Sequence, residues 1–462
     1  MSVLSTYPML NLCNGRWPGR LTCAATLSLG LFLSGCASVS PPVQTNLNET
    51  QAQHMAWWGN FNDPLLSQLV QQALQANTSI RSAQASLQQA RALRDVKVAN
   101  SLPGVTLSGS AQRNQTEFAD GNNSFRAGLD ARWELDVFGA VSSDINASEA
   151  DTLASQASLR DVQVSIAAEV ALAYIQLRGQ QAQLAIARNN LGSQSETLQL
   201  TDWREQAGLV TSLEVEQAKA ATAQTSAQIP ALTASIAKTR HALAVLTGQR
   251  PLELDLLLST SQPVPQAADL NTTAIPADTL RQRADVRAAE HRIQAALSRV
   301  DAADAARYPS FNLGGSLSLS ALTLAGLTNG ASLAGSLLGS LSVPLFDAGA
   351  GKSQVLAQQA ALEQARAAYQ NTVLTALKDV EDALISLQSD RQRLQLLQQA
   401  ATAANNAALL AQNRYSSGLI DFQTVLQTQR TLLSAQDSVA GLQADLSSDH
   451  VRLVKALGGG WQ

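Results

Sequence analysis

The residues equipped for covalent chemistry are few, and their spacing suits little of it. The four histidines, His54, His241, His291 and His450, are scattered along the chain without metal-ligand spacing. There is no Gly-x-Ser-x-Gly elbow and no cysteine–histidine arrangement. Gly349-Ala350-Gly351-Lys352-Ser353 has the ending of a phosphate-binding loop. That pattern needs a glycine five residues before Gly351, and Phe346 stands there, so the segment reads as a helix start after a strand. The thiol of Cys36 is placed differently. It follows a positive region with Arg16 and Arg20 and a short apolar run from Leu21 to Leu33, the layout of a processing signal.

Leu33-Ser34-Gly35-Cys36 resembles the lipobox of bacterial lipoproteins. The resemblance implies that residues 1–35 are removed and that Cys36 becomes an acylated N-terminus. Ala37, not an aspartate, comes next, which implies the outer membrane. Several acyl chains anchor firmly, because each buried methylene adds roughly 0.8 kcal/mol. Cys13 and Cys23 leave with the signal, so the mature chain has no internal disulfide to form.

Elsewhere the composition points to structure, not catalysis. Charged residues are 15% and aromatics 4% of 462 residues, while Ala, Leu, Gln and Ser dominate, as suits long packed helices. Beyond the signal, 30 basic side chains face 36 acidic ones, a net charge of −6 that argues against nucleic acid. Past the N-terminus no apolar run is long enough for a transmembrane helix.

The chain is duplicated. Asn77-Thr78-Ser79-Ile80 opens a helical run ending at Leu102-Pro103, and Arg283-Ala284-Asp285-Val286 opens one ending at Tyr308-Pro309, 206 residues later. Further on the offset is 210. Gly208-Leu209-Val210 matches Gly418-Leu419-Ile420, and Leu243 and Gly248 match Leu453 and Gly458. Each half is expected to run helix, strand pair, very long helix, turn, helix.

The strands must carry the membrane if anything does. From Phe125 to Val137 the odd positions are apolar and the even ones, Arg126, Gly128, Asp130, Arg132, Glu134 and Asp136, are polar or glycine. The five charged side chains are expected to face a wet lumen. A return strand is expected around Leu337 to Phe346. A soluble sheet would alternate as well; once membrane placement is granted, lipid cannot satisfy an open sheet edge and four strands are too few to close, so several protomers, of a number this does not fix, must share one barrel. The long helices set the shape. Gly351 to Tyr415 holds no proline and no internal glycine, and at 1.5 Å per residue it reaches about 100 Å. Val373, Leu377, Val380, Leu384, Leu387, Leu394 and Leu397 mark a near-heptad seam. The first half is similar between Ala140 and Trp203, with Gly179 and Gly192 as expected weak points.

Four motifs now carry a family resemblance. They are Trp57-Trp58 with Phe61-Asn62-Asp63-Pro64-Leu65; Arg283-Ala284-Asp285-Val286 with Ala289-Glu290; Pro344-Leu345-Phe346-Asp347-Ala348-Gly349; and Arg414-Tyr415, Gly418, Asp421, Val425-Leu426 and Gln429-Arg430. In this order, on a duplicated scaffold, they resemble the outer-membrane efflux protein family of TolC- and OprM-like ducts, and its lipoprotein branch. Ala284 stands where the family usually has proline.

The resemblance implies a mainly α fold with a transmembrane β-barrel. A homotrimer would share a twelve-stranded barrel in the outer membrane and extend a helical barrel into the periplasm. The expected segments are a signal at 1–35, an equatorial segment at 36–63 and a first repeat at 64–248 with strands about 104–137. A linker at 249–277, a second repeat at 278–457 with strands about 311–346, and a tail at 458–462 follow. The expected partners are a periplasmic adaptor, an inner-membrane RND-type pump and outer-membrane lipid, with no nucleic acid, cofactor or metal. The expected role is passive export of drugs or other small toxic compounds, not enzymatic chemistry. A type I protein-secretion duct and a lipid-tethered periplasmic coiled-coil scaffold without a pore are the alternatives. Asp421 is the candidate aperture gate, and equally a helix cap. Arg414, Tyr415 and Arg430 are candidate closed-state contacts or plain surface and packing residues. Gly208 and Gly418 are expected to take positive φ at the tip turns.

Overall fold

The computed structural model describes residues 57–116, 119–267 and 281–459; Cys36 and the tail 460–462 lie outside them. A 3-10 turn, Trp57–Phe61, leads into α1 (Pro64–Ala76) and α2 (Thr78–Asn100). A strand pair follows, β1 (Gly104–Thr116) and β2 (Ala119–Leu135). Next come the 67-residue α3 (Ala140–Gln206) and its returning partner α4 (Ser212–Leu246). The second half repeats this as α5 (Ala284–Ala305), β3 (Ser310–Ala321), β4 (Ser332–Ser342), the 67-residue α6 (Ala350–Ser416) and α7 (Phe422–Ala456). No helix among the described residues is long and apolar enough to cross a membrane.

The four strands form one antiparallel sheet in the order β1-β2-β3-β4, so the two halves meet at the β2–β3 pairing. β1 and β4 each have one free edge. Two strand boundaries differ from expectation. β4 starts at Ser332 and ends at Ser342, ahead of Pro344, which has no amide hydrogen to give a ladder. β2 ends at Leu135, so Asp136 lies just past the strand and serves the next helix. Its carboxylate accepts from the Val141 and Ser142 amides at 3.0 and 2.7 Å, taking up free donors at the start of α3. Asp347 does the same for α6 through the Gly349 and Gly351 amides, at 2.8 and 2.7 Å.

The duplication survives as geometry where the returning helices end. Asn77 caps α2 through its Oδ1, and its Nδ2 donates to the Leu246 carbonyl at 2.8 Å. In the second half Arg283 donates to the Ala456 carbonyl at 2.7 Å. The acceptors are 210 residues apart and the donors 206, the two offsets visible in the sequence. In each half the last turn of one helix thus abuts the first turn of another, and α2 and α5 also pack along α3. Arg283 is held by a forked ion pair to Asp285 at 2.8 and 3.1 Å.

The largest apolar cluster lies beside the middle of α3. Trp57, Trp58, Phe61, Leu66, Leu69, Ile80, Ile166, Val170, Ile175, Leu243, Leu254 and Leu258 pack there. Through it runs a polar chain. Arg178 donates to the Tyr174 hydroxyl at 2.9 Å and to the Thr260 carbonyl at 2.7 Å, and Tyr174 donates to Asp63 at 2.7 Å. Burial and the Asp63 bond push the Tyr174 phenol up to about 12, so it remains a donor.

The long helices run unbroken through Gly179 and Gly192. Gly179 is a point of close approach: a Cβ there would sit 2.9 Å from the Ala444 Cβ. On α6 the buried positions are Leu362, then Ala376, Val380, Ala383 and Leu387, then Ala404, Ala408, Ala411 and Tyr415. The seam therefore uses Ala376 and not Leu377, which is 43% exposed. Small seam residues let helices approach closely.

Gly248 and Gly208 separate backbone strain from collision. Both have positive φ, 72° and 69°, but a Cβ on Gly248 would lie 2.6 Å from the Ala76 carbonyl oxygen, while one on Gly208 meets nothing within 4 Å. Gly208→Ala is expected to cost about 1–2 kcal/mol of strain. Gly248→Ala is expected to cost clearly more. Thermal unfolding of the purified variants checks this; equal losses would refute it.

Candidate functional site

The sheet has two chemically distinct faces. Strand partners preserve parity, so even positions share one face: Thr106, Asp130, Ser316 and Ser336 form one rung, and Ser108, Gly128, Ser318 and Ala334 another. Odd positions make the other face, with Leu107, Leu129, Leu317 and Gly335 on one rung. That apolar face is open to the surroundings: Leu107 is 80% exposed and Leu337 78%. A soluble protein rarely leaves so much contiguous apolar surface uncovered.

The polar face is the concave one. It lines a groove of about 1000 Å³ with Thr106, Asp130, Arg132, Glu134, Asn312 and Ser316 among its walls. A second groove of about 480 Å³ continues it along the helices, and Asn100 and Glu134 border both. Two ion pairs lie there: Lys97 pairs with Asp144 at 2.8 Å, and Arg299 pairs with Asp151. The arrangement is a wet inner wall running from strands to helices. At their join aromatic rings gather. Tyr308 stacks on Phe138 at 5.0 Å, Phe311 lies 6.4 Å from Phe138, and Trp133 donates to the Ser101 carbonyl at 2.9 Å. Such belts mark the interface level of membrane barrels.

The other end of the helices is the tip. After α3, the Gly208 amide bonds Glu205 O and the Leu209 amide bonds Arg204 O; after α6, Gly418 bonds Tyr415 O and Leu419 bonds Arg414 O. Both are left-handed glycine terminations, with φ of 69° and 74°. Tyr415 is buried against Phe422, Val425 and Leu426. Its hydroxyl lies 3.2 Å from Thr201 Oγ1, and the Arg204 guanidinium sits 4.5 Å over its ring. Tyr415 therefore joins the α6 end to α3, whereas the side chains of Arg414 and Arg430 are exposed. Asp421 caps α7, accepting from the Thr424 amide at 2.8 Å and the Thr424 hydroxyl at 2.6 Å. Those bonds hold its carboxyl below the ordinary value. The matching residue of the first half, Thr211, makes no side-chain cap.

Two polar rungs escaped the sequence reading. Gln429 donates to Thr197 at 2.9 Å, and Asn190 donates to Gln436 at 2.9 Å. Asn190 and Thr197 are one heptad apart, as are Gln429 and Gln436, so α3 and α7 are tied in antiparallel register. The signal was the run Asn190, Gln194, Thr197 and Thr201 at steps of four, three and four, which polarity disguises as an exposed face.

The model of the family described as "Outer membrane efflux protein" matches residues 69–249 and 275–459. The chain belongs to the outer membrane efflux protein family. It is 32% identical over 424 residues to the toluene efflux pump outer membrane protein TtgF of Pseudomonas putida, covering 90% of this chain and 87% of that one. Among solved structures it is similar to the outer-membrane channel OprN, with a TM-score of 0.83, 37% identity and coverage of 88% and 93%. It is also similar to VceC of Vibrio cholerae, with a TM-score of 0.82, 28% identity and coverage of 88% and 99%. The fold is thus that of outer-membrane efflux channels, a helical tunnel continued by a β-barrel. In this setting the concave sheet face is the barrel lumen and the helices extend into the periplasm.

The cap at Asp421 gives a pH test. Its carboxyl is depressed in the folded chain, so the stabilisation is complete above the ordinary value of 3.8 and is lost as pH falls through the lower native value. Amide exchange at Thr424, corrected for intrinsic rates, is expected to slow equally at pH 7 and pH 5 and to accelerate only below about 4. In Asp421→Asn the protection should not titrate. Loss of wild-type protection already near pH 6 would rule the assignment out.

Proposed function

We propose that this chain is the passive outer-membrane exit duct of a tripartite efflux pump, working as a lipid-anchored homotrimer. The observation that carries this is the sheet: four strands, two open edges, an apolar convex face and a polar concave face continuous with a helical wall. Edges in hydrocarbon must be paired, so β1 of one copy meets β4 of the next, and three copies close twelve strands. On α6, Leu374, Ile385 and Leu396 are 64–65% exposed and spaced eleven residues apart, a second stripe that a neighbouring copy covers.

The duct does no chemistry and uses no cofactor or metal. An inner-membrane RND-type pump supplies the energy, and a periplasmic adaptor docks at the tips around Gly208 and Gly418. Relatives such as the toluene efflux protein favour small toxic compounds as cargo over secreted proteins. A pore-free scaffold has no use for a two-faced sheet. Cys36 carries the acyl anchor, and the three Asp421 carboxylates form an acidic ring at the closed aperture while each caps its own α7. Opening is an untwisting of the tip hairpins, which parts Tyr415 from Thr201 and Arg204.

Two measurements test this reading. Purified protein should run as a heat-modifiable trimer and conduct in planar bilayers; a monomer without conductance would sink the duct. Asp421→Ala should raise the small conductance of the closed channel severalfold, and an unchanged value would remove Asp421 from the gate. Separately, Cys36→Ser should abolish palmitate labelling yet keep conductance, because the barrel itself holds the membrane. Loss of both together would mean that the lipid, not the barrel, is the anchor.

A further inference from the structure

Along the β2–β3 ladder the polar face carries four charged residues, all on β2: Arg126, Asp130 and Arg132 on four-strand rungs, and Glu134 one rung beyond the end of β1. Their spacing divides them. Arg132 has Asp130 and Glu134 two residues to either side on the same face, about 7 Å away. Arg132 is thus flanked by acid on both sides, and one negative charge of the triplet remains. Asp130 is further engaged by the Ser108 hydroxyl at 2.7 Å. Arg126 stands four residues from Asp130, about 13 Å along the strand. This exceeds the screening length of about 8 Å at physiological ionic strength. No carboxylate among the described side chains pairs with Arg126, which is exposed.

Its rung is distinctive. Arg126 pairs with Ser110 on one side and Ser320 on the other, and Ser320 pairs with Ser332. This is the outermost rung on which all four strands are present, since β4 begins at Ser332. In the closed barrel proposed above, that level holds three arginines separated by serines and no acid. Guanidinium offers five donors in a planar fork that matches carboxylate, sulfate and phosphate oxygens, and serine hydroxyls add rotatable donors beside it. Lipid headgroups do not reach this face, because it is the lumenal one.

We propose that the Arg126 rung is an anion-binding ring at the outer mouth of the duct, a selectivity element for phosphate-, sulfate- or carboxylate-bearing molecules in the lumen. The inference rests on the duct reading, and it places a cationic ring at the opposite end of the conduit from the acidic residue Asp421. Its consequence is directional. A polyanion entering from outside meets the ring first, whereas one entering from the tip must pass the whole duct.

The test is single-channel recording of the full-length trimer with inositol hexakisphosphate added to one chamber at a time. Addition on the strand side should block the current at low micromolar to millimolar levels, and addition on the tip side should not. Arg126→Gln should weaken the strand-side block about tenfold or more, and Arg126→Lys should retain it in part. Wild-type block should also vanish at about 1 M KCl, where the screening length is about 3 Å. Pores that show no strand-side block, block that survives in Arg126→Gln, or block that persists at high salt each overturn the ring. The salt arm decides even if the glutamine variant does not assemble. Absence of any pore would instead overturn the duct on which the ring depends.

Discussion

Everything in this molecule follows from two unpaired strand edges. β1 and β4, of 13 and 11 residues, each present an outer edge that no strand among the described residues pairs. In water such edges are merely a hazard. In hydrocarbon each unsatisfied group costs several kcal/mol, so the monomer cannot rest there. The convex leucines require lipid and the edges forbid it, unless other copies complete the ladder. The long helices inherit the same incompleteness: much of α6 away from α7 remains exposed, with Leu374, Ile385 and Leu396 uncovered. The protomer is a stave of a barrel at both ends.

Cohesion is distributed unevenly along that stave. Beside the middle of α3 the seam is Ile166, Val170, Tyr174, Ile175 and Leu177, with two tryptophans and a phenylalanine clamped over it. Toward the tip the same helix buries Asn190, Gln194, Thr197 and Thr201 against alanines and glutamines. Apolar burial of a large side chain contributes roughly 1.5–3 kcal/mol, while a net hydrogen bond contributes nearer 1. The region beside the middle of α3 is therefore the more strongly held, and the register of α3 on α7 toward the tip rests more on hydrogen bonds. The hydrogen-bonded rungs fix one register there without cementing it. Tyr415 concentrates the aromatic packing at the last turn of α6, against Phe422 and under Arg204.

Much of this was legible in the sequence because duplication and period are local signals. The offsets of 206 and 210 anticipated the paired junctions at Asn77 and Arg283, and the parity of Phe125 to Leu135 anticipated the two faces of β2. The glycine turns were legible because only glycine takes φ near 70° cheaply. What stayed hidden depends on partners distant in sequence. The Asp63–Tyr174–Arg178 chain spans 111 residues between its first two members. The β2–β3 pairing across the halves has no local mark. Asp136 continued the alternation and looked lumenal, yet the nearby amides of Val141 and Ser142 offered it a stronger partner than water. Leu377 lost its seam place to Ala376 because close helix approach favours the smaller residue.

The distribution of charge explains how one wall can serve unlike cargoes. A conduit must admit molecules without holding them, so strong sites along it would slow transit. The lumenal face of the strands is mostly serine, threonine and asparagine, which water solvates as readily as any solute does. Beside the groove along the helices, Lys97 is paired with Asp144 and Arg299 with Asp151, so a passing ion gains little by displacing those partners. Among the described residues no cluster of histidine, cysteine and carboxylates is arranged to hold a metal. In the duct proposed here, discrimination belongs where charge is left uncompensated, as at the proposed Arg126 rung, and the symmetry that the open edges impose would multiply it.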